Sequence, residues 1–153
     1  MPGLRAASAA RLVGSPVYLT AEQATAAAGQ FRETADYRAW RFLAVAVMAN
    51  HVHLVVGVPG DPPSEDLVRD FKSYAGRVLN RGWGRRPGGT WWAAGGGSRR
   101  KLPDERAVRA AVRYVRDQER PLVVWADPEF LGEDGLGTGG PSSGEPSSGE
   151  PGA

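Results

Sequence analysis

Two β-rich runs separated by a two-residue turn are the strongest constraint on how this chain can fold. The runs are Trp40–Met48 and His51–Val58, and Ala49-Asn50 lies between them. This spacing is typical of a tight hairpin, since Asn tolerates a positive φ angle. The pattern predicts an antiparallel strand pair on which the other segments pack.

The two histidines of the protein, His51 and His53, both lie in the second run. Side chains alternate across a strand, so both imidazoles fall on one face, with Val52 and Leu54 on the other. Two imidazoles on one face can bind a divalent metal ion. The alternative is a pair of partly exposed strand histidines with hydrogen-bond partners and no metal. The spacing alone is too short and common a pattern to separate the two.

The charged residues are distributed unevenly along the chain. Residues 69–120 carry 14 basic and 5 acidic side chains, whereas residues 121–153 carry 6 acidic and no basic ones. A cationic segment of this kind favours a polyanionic partner such as nucleic acid. The alternative is a soluble protein that uses arginine as its ordinary surface cation.

Cysteine is absent, which excludes a disulfide framework and a thiolate metal site. No apolar run approaches the roughly 18 residues that a membrane helix needs. We therefore expect a cytoplasmic protein of one domain with no membrane partner.

Two helices are predicted on either side of the hairpin. Thr20 begins the first with a capping box that Gln23 completes, and Ser64 begins the second. The apolar stripe of the second helix includes Tyr74, which we expect to be a core aromatic.

A third helix is predicted over Pro103–Glu119, followed by a short buried strand at Leu122–Trp125. Tyr114 and Gln118 lie one turn apart at the edge of the helix's apolar face. Such a position can reach a neighbouring strand and still meet a ligand. The alternative is a boundary tyrosine that only covers the core.

The segment from Arg81 to Leu102 has no periodicity and mixes glycine, basic residues and tryptophan. Arginines can hold phosphates and indoles can stack on unpaired bases, so the segment is a candidate DNA-binding loop. Its candidate residues are Arg81, Arg85, Arg86, Trp91, Trp92, Arg99, Arg100 and Lys101. The alternative is a flexible insertion whose tryptophans fold back onto the core, and the two interpretations are not exclusive.

Three blocks of the sequence resemble the single-tyrosine HUH transposases of bacterial insertion sequences and their relatives associated with repetitive extragenic palindromes. The blocks are Met48–Val56 (MANHVHLVV), Phe71–Asn80 (FKSYAGRVLN) and Tyr114–Gln118 (YVRDQ). The second block is similar to the family's helix after the hairpin, and the third to its nucleophilic tyrosine and the polar metal ligand one turn later. The resemblance spans roughly residues 16–126.

The resemblance implies an α+β fold with a ferredoxin-like antiparallel sheet and packed helices. It also implies that His51 and His53, with Gln118 as third ligand, bind Mg²⁺ or Mn²⁺. Tyr114 would then attack single-stranded or hairpin DNA, giving a 5′-phosphotyrosine intermediate and a free 3′-OH. Family members include homodimers and single-chain forms.

The chain divides on this basis into a leader (residues 1–15), a transposase-like domain (16–130) and a disordered Gly/Pro/Ser/Glu-rich tail (131–153). The family's first strand precedes the first helix, whereas here only a short Ala-rich leader precedes Pro16. The predicted sheet can therefore lack that strand.

Two alternatives for the function follow. One is a truncated or domesticated DNA-binding remnant that does not cut DNA. The other is a metal-dependent hydrolase in which the histidines activate water and Tyr114 only packs.

Overall fold

A five-stranded antiparallel sheet, in the order β4-β1-β3-β2-β5, lies between two helices on one face and one on the other. The computed structural model describes residues 6–13, 18–59, 64–86, 90–93 and 98–132. The strands are β1 (Ala6–Val13), β2 (Arg41–Val47), β3 (His51–Val58), β4 (Ser98–Leu102) and β5 (Val123–Ala126). The helices are α1 (Ala21–Tyr37), α2 (Ser64–Trp83) and α3 (Glu105–Arg116), with a 3₁₀ turn at Pro128–Phe130. The predicted α+β fold is confirmed, and the first four strands with α1 and α2 have the ferredoxin-like arrangement.

The expectation that the first strand is missing is wrong. The Ala-rich leader forms β1, which lies between β3 and β4 and pairs with both. Alanine has a low strand propensity, so the segment gives little signal in the sequence. Helices pack on both faces of β1, and side chains such as Ala7, Ala10 and Leu12 are buried there. Residues 6–13 of the leader are therefore part of the sheet.

Helices α1 and α2 cover one face of the sheet. Helix α1 begins with the predicted capping box, in which Thr20 and Gln23 each bind the other's backbone N–H. Phe31 of α1 and Phe71 of α2 meet edge to face, with ring centroids 5.8 Å apart. Tyr74, predicted to be in the core, lies instead at its margin, where its ring contacts that of exposed Tyr37.

The segment predicted as one loop over Arg81–Leu102 contains two ordered elements, because α2 continues to Trp83 and β4 occupies Ser98–Leu102. Between them, Trp91 and Trp92 are each only 6% exposed and belong to the α1/α2 core. Their indole N–H groups donate to Asn80 Oδ1 and to the Lys72 carbonyl, both at 2.9 Å. The structure contradicts the prediction that these indoles stack on bases, because their rings are buried and their donors are satisfied.

Helix α3 covers the opposite face. Asp104 caps its first turn by accepting from the Ala107 N–H, and Val108, Val112 and Val115 face the sheet. The strand predicted to be buried after α3 is the edge strand β5, where Val124 is 42% exposed. Of the predicted tail, residues 133–153 lie outside the described residues. In the described part of the chain, no helix is long and apolar enough to cross a membrane.

Helix α1 ends in a Schellman motif that offers a test of the fold. The Trp40 and Ala39 N–H groups donate to the carbonyls of Ala35 and Asp36, and Ala39 has φ +61°. An L-residue is strained in that conformation, so Ala39→Gly should raise the free energy of unfolding by about 0.5–1 kcal/mol. Denaturant unfolding measures the change. In the control, Ala26→Gly inside α1 should lower the stability by about 1 kcal/mol. An unchanged or lower stability for Ala39→Gly would contradict the assigned helix end.

Candidate active site

His51 and His53 lie at the start of β3, on the sheet face that α3 covers. The intervening Val52, and Leu54 after it, are fully buried in the α1/α2 core, so strand alternation places both imidazoles on the other side. The two rings meet edge to face with centroids 4.8 Å apart. Both rings are partly exposed at the end of the sheet where the hairpin turns.

Tyr114 completes this group from the last turn of α3. Its ring lies 5.7 Å from that of His53, centroid to centroid, and is almost perpendicular to it. The neighbouring Val112 and Val115 are buried against the sheet, which leaves Tyr114 at the margin of the helix and 62% exposed. The structure thus brings together three of the predicted site residues, from two elements far apart in sequence.

Asn50, in the hairpin turn, orients the first histidine. Its Oδ1 lies 2.9 Å from His51 Nδ1. An amide oxygen can only accept, so Nδ1 of the neutral ring carries the proton and Nε2 keeps its lone pair. Metal-binding histidines are commonly fixed in this way through their second nitrogen.

Burial and positive charge favour the neutral form of both histidines. Desolvation, followed by the nearby Arg11 guanidinium, lowers the pKa of His51. Desolvation also lowers the pKa of His53, to about 4, with smaller contributions from His51 and Arg11. Neutral imidazole is the form that binds a metal ion.

Arg11 is a site residue that the sequence reasoning missed. It is paired across β1 and β3 with His53, so both side chains occupy the α3 face of the sheet. The sequence could have found it only through β1 and its register with β3, which together place Arg11 beside the histidines.

The residues present fit a divalent metal ion. Two neutral imidazoles lie together, and the free Nε2 of His51 is a suitable donor atom. Within the described residues, no group of three His, Cys, Asp or Glu side chains could hold a metal ion. A further protein donor would therefore be of another chemical type, such as an amide oxygen.

Gln118 follows α3 and turns back along its last turn. Its Nε2 donates to the Tyr114 carbonyl at 3.1 Å, and its backbone N–H donates to the Val115 carbonyl. The amide nitrogen is thus engaged near Tyr114, while Oε1 is the atom of this side chain that can serve as a metal donor.

A cleft of about 420 Å³ adjoins His53 and Tyr114. It lies between α3 and the strands β1 and β4, and Arg11 and Arg100 give it a positive charge. Arg100 is therefore the predicted DNA-binding residue that the structure brings to the histidines and the tyrosine.

The side chains of the other predicted DNA-binding cations are directed elsewhere. Arg99 also lines the cleft, but Arg99 and Lys101 pair with Ala10 and Ser8, so alternation directs their side chains towards the opposite sheet face. Arg81 and Arg85 are exposed at and beyond the end of α2. The guanidinium of Arg86 lies over the buried Trp91 ring, 4.7 Å from its centroid.

The lowered pKa of His53 makes a prediction about stability. An unfolded histidine has a pKa near 6.5, so between about pH 6.5 and pH 4 the unfolded chain binds a proton that the folded chain does not. Stability should therefore fall as the pH falls through this window. His53→Gln should lose less stability than the wild type between pH 7 and pH 4.5, measured as the melting temperature. Parallel curves for the two proteins would show that His53 titrates normally.

Comparisons with known proteins identify the family of the chain. The family model described as "Transposase IS200 like" matches residues 16–118. A Deinococcus radiodurans R1 protein assigned as a transposase has a similar structure, with a TM-score of 0.57, 20% identity, and coverage of 74% of this chain and 91% of that chain. A REP-associated tyrosine transposase bound to a REP hairpin has a TM-score of 0.56 and 15% identity, over 72% of this chain and 64% of the other.

At such identities the structural similarity shows a shared fold. No curated protein matches the sequence. The family match does extend over more than half of the chain, including the hairpin histidines and Tyr114. The protein belongs to the IS200-like transposase family.

Proposed function

We propose that this protein cuts and rejoins single-stranded DNA, with Tyr114 as the nucleophile. The observation that carries the proposal is the position of the Tyr114 ring beside His53 in a positively charged cleft. The relative with 15% identity was solved bound to a REP hairpin, which supports hairpin DNA as the class of substrate.

The reaction exchanges one phosphodiester bond for another. The Tyr114 phenolic oxygen bonds to the scissile phosphorus, and the bond from phosphorus to the 3′ oxygen breaks. The phenol loses its proton and the departing 3′ oxygen gains one, leaving a 5′-phosphotyrosine and a free 3′-OH. The phosphoryl bond is conserved, so attack by a 3′-OH on the phosphotyrosine can rejoin a strand without a nucleotide cofactor.

Activation is needed because phenol, with a pKa near 10, is a weak nucleophile at neutral pH. His51 and His53, with Gln118 as third ligand, would hold Mg²⁺ or Mn²⁺, which would polarise the scissile phosphate. Asn50 would keep His51 in the tautomer whose Nε2 faces away from the turn. The exposure of Tyr114 leaves its phenol open to a large substrate.

One chain brings Tyr114 beside His53, because the two rings are in contact within the same molecule. A homodimer is therefore not required to assemble this arrangement. The presence of β1, which pairs with both β3 and β4 inside the sheet, also counts against a truncated remnant.

Tyr114→Phe should abolish covalent attachment to DNA, because phenylalanine lacks the attacking oxygen and otherwise keeps the same ring. The measurement is denaturing gel electrophoresis of the protein after incubation with labelled single-stranded hairpin DNA and Mn²⁺. Tyr74→Phe is the matched control and should still form the adduct, since Tyr74 lies on α2 across the sheet. Hairpins from the sequences flanking the gene should be included.

The result also separates the alternatives. Adduct formation by Tyr114→Phe would exclude Tyr114 as the nucleophile. DNA hydrolysis that persists in Tyr114→Phe, with no adduct in the wild type, would favour the metal-dependent hydrolase.

Gln118→Ala should weaken Mn²⁺ binding roughly 10- to 100-fold if the amide oxygen is a ligand. Isothermal titration calorimetry measures the affinity, and His53→Ala serves as the control that should lose binding. Gln30→Ala, on α1 across the sheet, should leave the affinity unchanged. Unchanged Mn²⁺ affinity in Gln118→Ala would remove this residue from the metal site.

A further inference from the structure

The cleft beside Tyr114 continues from the histidines towards the edge strand β4. Its floor is formed by β1 and β4, and its wall by the side of α3 that carries Tyr114. The residues that line it on the α3 face include Ala9, Arg11, Ser98, Arg100, Ala111 and Tyr114. A volume of about 420 Å³ lies within the roughly 300–1,000 Å³ of small-ligand sites. The space therefore suits one nucleotide.

The strand register fixes the arrangement of charge in this floor. Arg11 pairs with His53 on one side and with Ser98 on the other, and Arg100 pairs with Ala9. The two arginines thus lie in adjacent rows of the same sheet face, and the small Ala9 side chain leaves open space next to Arg100. One cation lies beside the reactive group and the other further along the cleft.

Both guanidinium groups are available to an anion. Among the described residues, no ion pair joins Arg11 or Arg100 to a carboxylate. Both side chains are exposed at the surface of the cleft. Arginine binds phosphate oxygens through paired N–H donors, so two such groups along a cleft match successive phosphates of a strand.

We propose that the cleft is a subsite for the nucleotide adjoining the scissile phosphate, in which Arg11 and Arg100 bind the backbone phosphates and the sugar and base lie over Ala9. This inference rests on the proposed function and adds a defined path for the strand on one side of Tyr114. The path leads across the short strand β4, whose Leu102 is buried beneath α3.

The test uses the full chain carrying Tyr114→Phe, which keeps the cleft but cannot react. Binding of a short fluorescent oligothymidylate is followed by fluorescence anisotropy, with EDTA present, over a range of salt concentrations. Adding Arg11→Gln or Arg100→Gln should weaken binding roughly tenfold. Each should also reduce the slope of log affinity against log salt by about 0.7, as expected for one lost phosphate contact on a single strand.

Ala9→Leu tests the space rather than the charge. It should weaken binding while leaving the salt slope unchanged, because the larger side chain fills the cleft and both arginines remain. Arg77→Gln is the charge-matched control. This exposed residue lies on α2, on the opposite side of the sheet from the cleft, and its guanidinium stacks on the Tyr74 ring. It should change the affinity by at most about twofold.

The subsite would be overturned if Arg11→Gln and Arg100→Gln weakened DNA binding no more than Arg77→Gln does. Should Ala9→Leu fail to fold in a thermal melt, the two exposed arginine variants decide the question. The adduct assay keeps this result separate from the proposed function. Adduct formation with unchanged binding in the arginine variants would refute the subsite alone, whereas reduced binding without any wild-type adduct would refute strand transfer alone.

Discussion

The site depends on the alternation of β3 between two hydrophobic cores. Val52 and Leu54 are buried against α1 and α2, so the backbone has no freedom to turn His51 and His53 to that side. Shifting the strand by one residue would bury two imidazoles and expose two aliphatic side chains. The apolar core on one face therefore determines which side of the sheet carries the chemistry.

The second determinant is the packing of α3 on the other face. Val108, Val112 and Val115 contact the sheet, and this fixes both the axis and the rotation of the helix. This packing places Tyr114 at the helix margin, beside His53. Because the helix buries three valines to hold this position, the nucleophile is placed by the core although its own ring is exposed.

The sequence predicts those parts whose signal is local. The hairpin, the capping box at Thr20 and the spacing of α3 follow from side-chain periodicity, and they suffice to place the histidines and Tyr114 on the right elements. The part of the site that lies on β1 was not predictable in this way. Four of the eight residues of strand β1 are alanine, which gives little strand signal, and Arg11 was missed together with the strand.

The tryptophan segment shows a second limit of local reasoning. Basic and aromatic residues among glycines are typical of a DNA-binding loop, yet Trp91 and Trp92 lie in the core. Their burial depends on acceptors supplied by α2, namely Asn80 Oδ1 and the Lys72 carbonyl. Such acceptors are distant in sequence, so composition cannot distinguish an indole that stacks on a base from one that fills a core.

The central proposal is that the β3 histidines bind a divalent metal ion beside Tyr114, and paramagnetic broadening tests it most directly. Substoichiometric Mn²⁺ added to the protein should broaden the ring signals of His51, His53 and Tyr114 in NMR spectra. The rings of Tyr37 and Tyr74 contact each other on the opposite face of the sheet, and they should keep their line widths. Broadening confined to other residues, or an unaffected Tyr114 ring beside broadened histidines, would contradict the account.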